Sequence, residues 1–166
     1  MISDTIHEHM KDIKLSKVKS LISKATTIDP TDTLSSVINK ITKNNCYDVF
    51  YLKDKNVLST NIRSLLNAKN INEMKVESFL YPIPHVSQND SVQKVANIIA
   101  HYRVREVPVV DKNEIIGVVT SKQIIKLLSS KDNKWIKANL IYTQNPITIP
   151  ANESISNARR IMTTKK

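Results

Sequence analysis

The sequence predicts an α+β fold built from a repeated β-α-β-β-α unit, each unit a small sheet packed against two helices. Three observations carry this prediction. A short phrase is written three times, as Ala25-Thr26-Thr27-Ile28-Asp29-Pro30-Thr31-Asp32-Thr33-Leu34, as Pro84-His85-Val86-Ser87-Gln88-Asn89-Asp90-Ser91-Val92, and as Ile147-Thr148-Ile149-Pro150-Ala151-Asn152-Glu153-Ser154-Ile155. The matching positions Thr27, His85 and Thr148 lie 58 and 63 residues apart. After each phrase the apolar residues fall at helical spacing: Leu34, Val37, Ile38 and Ile41, then Val92, Val95, Ala96 and Ile99, then Ile155, Ala158, Ile161 and Met162. A strand, a polar turn and an amphipathic helix are thus repeated. Behind the first two helices come short apolar runs of strand length, nearly continuous, as expected of a sheet covered on both faces.

The elements follow in order. Residues 1–23 read as a lead-in helix with Ile6, Met10, Ile13, Val18, Leu21 and Ile22 as its apolar positions. His7 and His9 are two apart, so on a helix they point to different sides and make a poor metal pair. The first repeat, 24–78, opens with a strand over Thr26–Ile28 and a turn at 29–33, with Asp32 or Thr33 near the helix N-cap. Its helix ends near Asn44 and Asn45. Val49–Leu52 is the second strand, 53–56 a hairpin turn, Val57-Leu58 the start of a third strand, and Ile62–Leu66 the start of a second helix. This repeat is degenerate: Ser59, Thr60 and Asn61 stand where a ligand-binding segment is expected, and read as turn and N-cap residues.

The second repeat, 79–139, is fuller. His85-Val86 is its first strand and Ser91–Tyr102 its helix. Val107–Val110 and Ile115–Thr120 form a hairpin about the turn Asp111-Lys112-Asn113-Glu114, and Gln123–Leu128 starts the last helix. Residues 140–166 hold only the opening strand and helix of a third repeat. The expectation is that the native chain continues beyond Lys166, or that a partner supplies the rest.

Composition narrows the function. The chain has 166 residues, 40% apolar and 24% charged, which suits ordinary globular material able to bury a core. No apolar run approaches the roughly 20 residues needed to span a bilayer, and the N-terminus lacks the layout of a signal peptide. Cys46 is the single cysteine, so no internal disulfide forms and a cytoplasmic, reducing compartment fits. Before the run Tyr47–Leu52, it reads as a small buried residue. The net charge of +10 is spread as +3 over 1–78, +4 over 79–140 and +3 over 141–166, with no basic block. Such a spread is usually a solvated face, although it favours polyanions such as nucleic acid. No catalytic order, metal-ligand spacing or Gly-rich phosphate loop is present, which favours a non-enzyme.

The stretch Arg105-Glu106-Val107-Pro108-Val109-Val110-Asp111, then Ile116-Gly117-Val118-Val119-Thr120-Ser121-Lys122-Gln123 after four residues, resembles a CBS (cystathionine β-synthase) domain. The resemblance covers 24–130 as a tandem pair and 140–164 as the start of a third unit. It implies a pseudo-twofold pair, called a Bateman module, with a regulatory site for adenosine-containing molecules such as AMP, ADP, ATP or S-adenosylmethionine and no required cofactor. The ligand-binding residues it suggests are His85, Arg103, Arg105, Pro108, Gly117, Thr120, Ser121 and Gln123. Gly117 is the only glycine, and a strand glycine marks close approach of another backbone or a ligand. Thr120 and Ser121 stand where a strand gives way to a helix N-terminus, a position favourable to phosphate. The family's ribose-binding acid is replaced by Gln123, whose neutral amide lacks a carboxylate's paired acceptors. The function expected is ligand sensing, mainly at the second repeat. The alternatives are an interaction module that homodimerises without a small ligand, and a polyanion-binding module; no membrane partner is expected.

Overall fold

Both full repeats start their first helix on a hydroxyl cap. The computed structural model describes residues 15–66, 68–129 and 144–164, together with residue 11. Helix α1 (Leu34–Asn44) begins at Thr33, whose Oγ1 accepts from the Ser36 N–H at 3.2 Å. Helix α3 (Val92–Tyr102) begins at Ser91, whose Oγ accepts from the Lys94 N–H at 3.3 Å. They end alike: Asn45 and Arg103 sit in the left-handed region at φ 48° and 54°. Each is followed by an antiparallel hairpin, β1 (Asp48–Lys53) with β2 (Asn56–Asn61), and β4 (Glu106–Asp111) with β5 (Glu114–Thr120). Asp54 and Lys55, and Lys112 and Asn113, all have positive φ, the two-residue turn whose twist matches a hairpin. A short helix α2 (Ile62–Leu65) and a longer one, α4 (Ser121–Ser129), close the two repeats. The α-β-β-α part of the order expected from the sequence is present in both repeats.

The segment that leads into each repeat completes the other one. Strand β3 (Tyr81–Ile83), leading into the second repeat, pairs with β2 of the first through Ser59–Tyr81 and Val57–Ile83. Ser23, leading into the first, exchanges two backbone hydrogen bonds of 2.9 Å with Val118 of β5. The helix starts are clamped in the same crossed manner. Val18 N donates to Asp90 O and Val76 N to Asp32 O, both at 2.9 Å. Val92 N donates to Ser16 O at 2.9 Å and Leu34 N to Met74 O at 3.0 Å. These partners keep the 58-residue spacing (Val18 and Val76, Asp32 and Asp90, Leu34 and Val92). The pairing therefore has pseudo-twofold symmetry.

Packing follows the same crossing. Val76 is buried among Ile28, Leu34, Val37, Ile41, Val49 and Leu65 of the first repeat, while Val18 joins Val86, Val92, Val95, Val107, Val109 and Val119 of the second. The opening strands expected at 26–28 and 85–86 are single parallel bridges, Thr27–Phe50 on β1 and Val86–Val109 on β4, at the edge of each hairpin opposite the lead-ins. Of the expected lead-in helix, most lies outside the described residues, as do His7 and His9; Val18–Ser20 is one 3-10 turn. Cys46 is half-buried, its thiol donating to the Ile41 carbonyl at 3.8 Å. In the third repeat, 144–150 run without sheet pairing, and helix α5 (Ile155–Thr164) starts at Ser154, whose Oγ accepts from the Asn157 N–H at 3.1 Å. No helix among the described residues is long and apolar enough to cross a membrane.

Gly117 has a specific reason. A Cβ there would lie 2.5 Å from the Ser23 carbonyl oxygen, so any side chain drives the lead-in off β5. Gly117→Ala is expected to lower stability by roughly 1–3 kcal/mol, the usual cost of overpacking, read as a lower urea midpoint with unchanged slope. A wild-type midpoint would show that this crossing tolerates a methyl group.

Candidate functional site

The strand starts of the two hairpins meet, and a buried carboxylate stands at each. Asp48 opens β1 at 1% exposure and Glu106 opens β4 at 5%. Asp48 Oδ2 accepts from the backbone N–H groups of Arg105 (3.1 Å) and Glu106 (3.2 Å), while its Oδ1 accepts from Asn61 Nδ2 at 3.1 Å. Glu106 Oε1 accepts in return from the Tyr47 N–H at 3.4 Å. Burial pushes the Asp48 carboxyl above the usual range, opposed by the Arg105 N–H and the Asn61 amide. Burial does the same to Glu106, with the Asp48 charge adding to it. A buried charge persists when hydrogen bonds replace its water, and here three donors do so for Asp48.

Asn61 extends the network. Its Nδ2 also donates to Tyr81 Oη at 2.8 Å, and its Oδ1 accepts from the Ser64 N–H at 3.1 Å. Tyr81 sits on the lead-in strand β3, so this polar cluster joins the first repeat to the chain entering the second. Burial raises the Tyr81 phenol above its ordinary value, and the Asp48 charge adds to that.

Above the carboxylate lies a cleft of about 280 Å³. Its floor is Asp48 and Asn61, and Arg63 from α2 forms one side with Ile62. Arg103 and Arg105 enter from the α3–β4 junction of the other repeat; Tyr47 and Met162 of α5 complete the lining. The Arg105 guanidinium lies 4.6 Å from the centre of the Tyr47 ring, a cation–π contact. The left-handed φ of Arg103 turns the chain from α3 into β4. Three arginines therefore line the cleft with one carboxylate, which is already engaged by three N–H donors. No ion pair among the described residues engages these arginines. The excess positive charge suits an anion, which a guanidinium fork binds through paired hydrogen bonds.

The residues suggested by the sequence fall into three places. Arg103 and Arg105 line the cleft. Thr120, Ser121 and Gln123 lie at the start of α4, where Thr120 Oγ1 accepts from the Gln123 N–H at 3.1 Å and Gln123 Oε1 accepts from the Thr120 N–H at 2.7 Å. This reciprocal pair is a capping box, T-S-K-Q in sequence, and it occupies both side chains with their own helix. Ser121 N donates to Arg105 O at 2.8 Å, linking that helix start to the cleft through the backbone. Gly117, Pro108 and His85 serve elsewhere: Gly117 lies against Ser23, buried Pro108 accepts from the Val86 N–H at 3.0 Å, and His85 is exposed. Tyr47, Asp48, Asn61, Arg63 and Met162 were not among the sequence candidates. The 58-residue offset held a signal, because it places Asp48 opposite Glu106 and Tyr47 opposite Arg105. Among the described residues no group of three or more His, Cys, Asp or Glu is placed to hold a metal ion.

Residues 76–130 match the CBS domain family. The chain carries a CBS domain over those residues. No curated protein matches its sequence. Solved CBS structures share the fold. A CBS domain-containing protein from Thermotoga maritima superposes with a TM-score of 0.62 at 17% identity, over 72% of this chain and 98% of that one. The CBS domain pair of protein MJ0100, solved with 5′-methylthioadenosine and S-adenosyl-L-methionine, gives 0.61 at 21% identity, over 70% and 98%. A hexameric CBS-CP12 protein from bloom-forming cyanobacteria gives 0.59 at 13% identity, over 67% of each.

The two facing carboxylates carry a pH signature. Both are raised, so the fold holds their protons more tightly than the unfolded chain does. Their favourable contribution is complete below the ordinary carboxylate value of about 4 and is lost as pH rises through the raised values. Glu106→Gln keeps an oxygen for the Tyr47 N–H and removes a charge beside Asp48. The variant is expected to melt roughly 2–4 °C higher at pH 8, with the advantage shrinking toward pH 4. A variant that melts lower than wild type at pH 8 would show that the charged form of Glu106 supports the fold.

Proposed function

We propose that this chain is a non-catalytic regulatory module that senses an adenosine-type nucleotide or a related small anion in the cleft between its two CBS repeats. One observation carries the reading: Arg63, Arg103 and Arg105, from two repeats, line a cleft in which Asp48 is the one carboxylate among the described residues and is held by two backbone N–H groups and the Asn61 amide. In this reading the arginines take the phosphates, Asn61 offers polar contact, and Tyr47, Ile62 and Met162 form the apolar side. The adenosine class draws support from the related CBS pair that holds 5′-methylthioadenosine and S-adenosyl-L-methionine. His85, Pro108, Gly117, Thr120, Ser121 and Gln123, the other residues that the resemblance suggests in the second repeat, are the weaker candidates. The reading places the protein in the cytoplasm, with no membrane partner.

A second reading, an interaction module that homodimerises, is favoured by an apolar groove of about 200 Å³ on the first repeat, lined by Ile38, Ile62, Leu65, Leu66, Ala68 and Ile71. Ile62 and Ile71 are 42% and 38% exposed there. Nucleic-acid binding through the diffuse +10 charge is the third.

Calorimetric titration with AMP, ATP and S-adenosylmethionine, with light scattering in line and a short RNA as control, separates these readings. Saturable binding of one adenosine compound is expected, weakened about tenfold or more by Arg105→Ala, since a charge-assisted hydrogen bond contributes about 1.5–3 kcal/mol. No binding by any of the three overturns the sensor reading. A dimer would then favour the interaction module, and RNA affinity falling steeply with salt would favour the polyanion binder.

A further inference from the structure

We propose that the helix of the third repeat is a wall of the cleft: Met162 of α5 supplies an apolar face for the ligand's flat base, so ligand binding and seating of α5 are coupled. This rests on the sensor reading and adds a regulator to it. The observation is placement. Met162 lines the cleft beside Ile62, while Arg159, three residues earlier and hence on the same face of α5, lines the adjoining groove that Ile62 shares. The third repeat thus touches the first where the arginines converge.

The seating of α5 is weak as it stands. None of its residues is buried; Met162 is 53% exposed and Ile155 89%. Its hydrogen bonds are internal, as in Arg160 to Asn157 Oδ1 (2.7 Å) and Thr163 to Arg160 O (2.9 Å), and none joins it to either repeat among the described residues. It also brings Arg159 into the groove beside a cleft that already holds three arginines. Like charges oppose that approach until an anion lies between them. An anion with an apolar ring changes both terms at once: the charge is screened, and the Met162 thioether gains an aromatic face to pack on, a contact suited to methionine. Coupling is reciprocal, so whatever holds α5 in place raises ligand affinity by the same factor that the ligand stabilises α5.

The test uses the full chain with two probes, ATP and inorganic tripolyphosphate, against wild type, Met162→Ala and Ile155→Ala. Both side chains are exposed, so neither substitution threatens the fold. Met162→Ala is expected to weaken ATP about five- to tenfold, as loss of an apolar contact does, and to leave tripolyphosphate within about twofold. Ile155→Ala should leave both unchanged. Hydrogen exchange across 155–164 should slow when ATP is added. Wild-type ATP affinity in Met162→Ala, or exchange in α5 indifferent to ATP, overturns the coupling. If Arg105→Ala still weakens ATP in that event, the sensor reading stands without it. If neither probe binds wild type, the coupling falls, and the sensor reading falls with it only if AMP and S-adenosylmethionine fail to bind as well.

Discussion

The carboxylate of Asp48 fixes how the two repeats face each other. Its Oδ2 takes two backbone N–H groups from the entrance of β4, and Glu106 returns one such bond to the entrance of β1. Each strand start is thus capped by a side chain of the other repeat, and neither repeat alone satisfies its own. A buried charge is costly unless its donors are in place, so losing a partner costs far more than the pair itself contributes. That asymmetry makes the contact specific. It also sets the site: with the Arg105 backbone held to Asp48, the guanidinium lies over Tyr47 and Arg103 is carried to the same rim.

Around this contact the chain is symmetric in backbone and asymmetric in chemistry. The crossed lead-ins, the clamped helix starts and the left-handed ends of α1 and α3 are matched at 58-residue spacing. The side chains at matched positions differ. Tyr47 stands opposite Arg105 and Asn45 opposite Arg103, so the second repeat delivers two cations where the first delivers none. Asn61 and Thr120 both stand opposite the buried acids in the hairpin registers, Asp48 with Asn61 and Glu106 with Thr120. Asn61 reaches Asp48 and Tyr81, whereas Thr120 turns to its own helix. A diffuse net charge becomes local at one cleft because pseudo-symmetry brings two chain segments to one rim.

Local chemistry was legible in the sequence, and contacts between repeats were not. The cap at Thr33, the hairpin turns and the first helix of each repeat follow from hydroxyls and apolar periodicity within a few residues, whereas Ser91, read as the first helical residue, is the cap. The opening strands are single bridges on the β1 and β4 edges, while Tyr81–Ile83 and Ser23 pair with β2 and β5 on the opposite edges, Ser23 reaching Val118 across 95 residues. Gly117 announced a close approach, yet nothing near it names Ser23 as the neighbour. Arg103 and Arg105 stood out beside a recognisable motif. Asp48, Asn61 and Arg63 did not, since their meaning comes from segments contributed by the other repeat. The T-S-K-Q pattern at 120–123 spells a capping box, and the structure uses it as one.

The account stands on a single claim, that the arginines of the two repeats form one anion-binding rim. Arginine side-chain Nε–Hε resonances, assigned by single substitutions and followed while ATP is added, test it most directly. The account predicts that Arg63, Arg103 and Arg105 shift together along one saturation curve, with the backbone amides of Thr120 and Gln123 moving little. Shifts confined to those amides, with the three arginines unmoved, would contradict it and place the ligand at the start of α4.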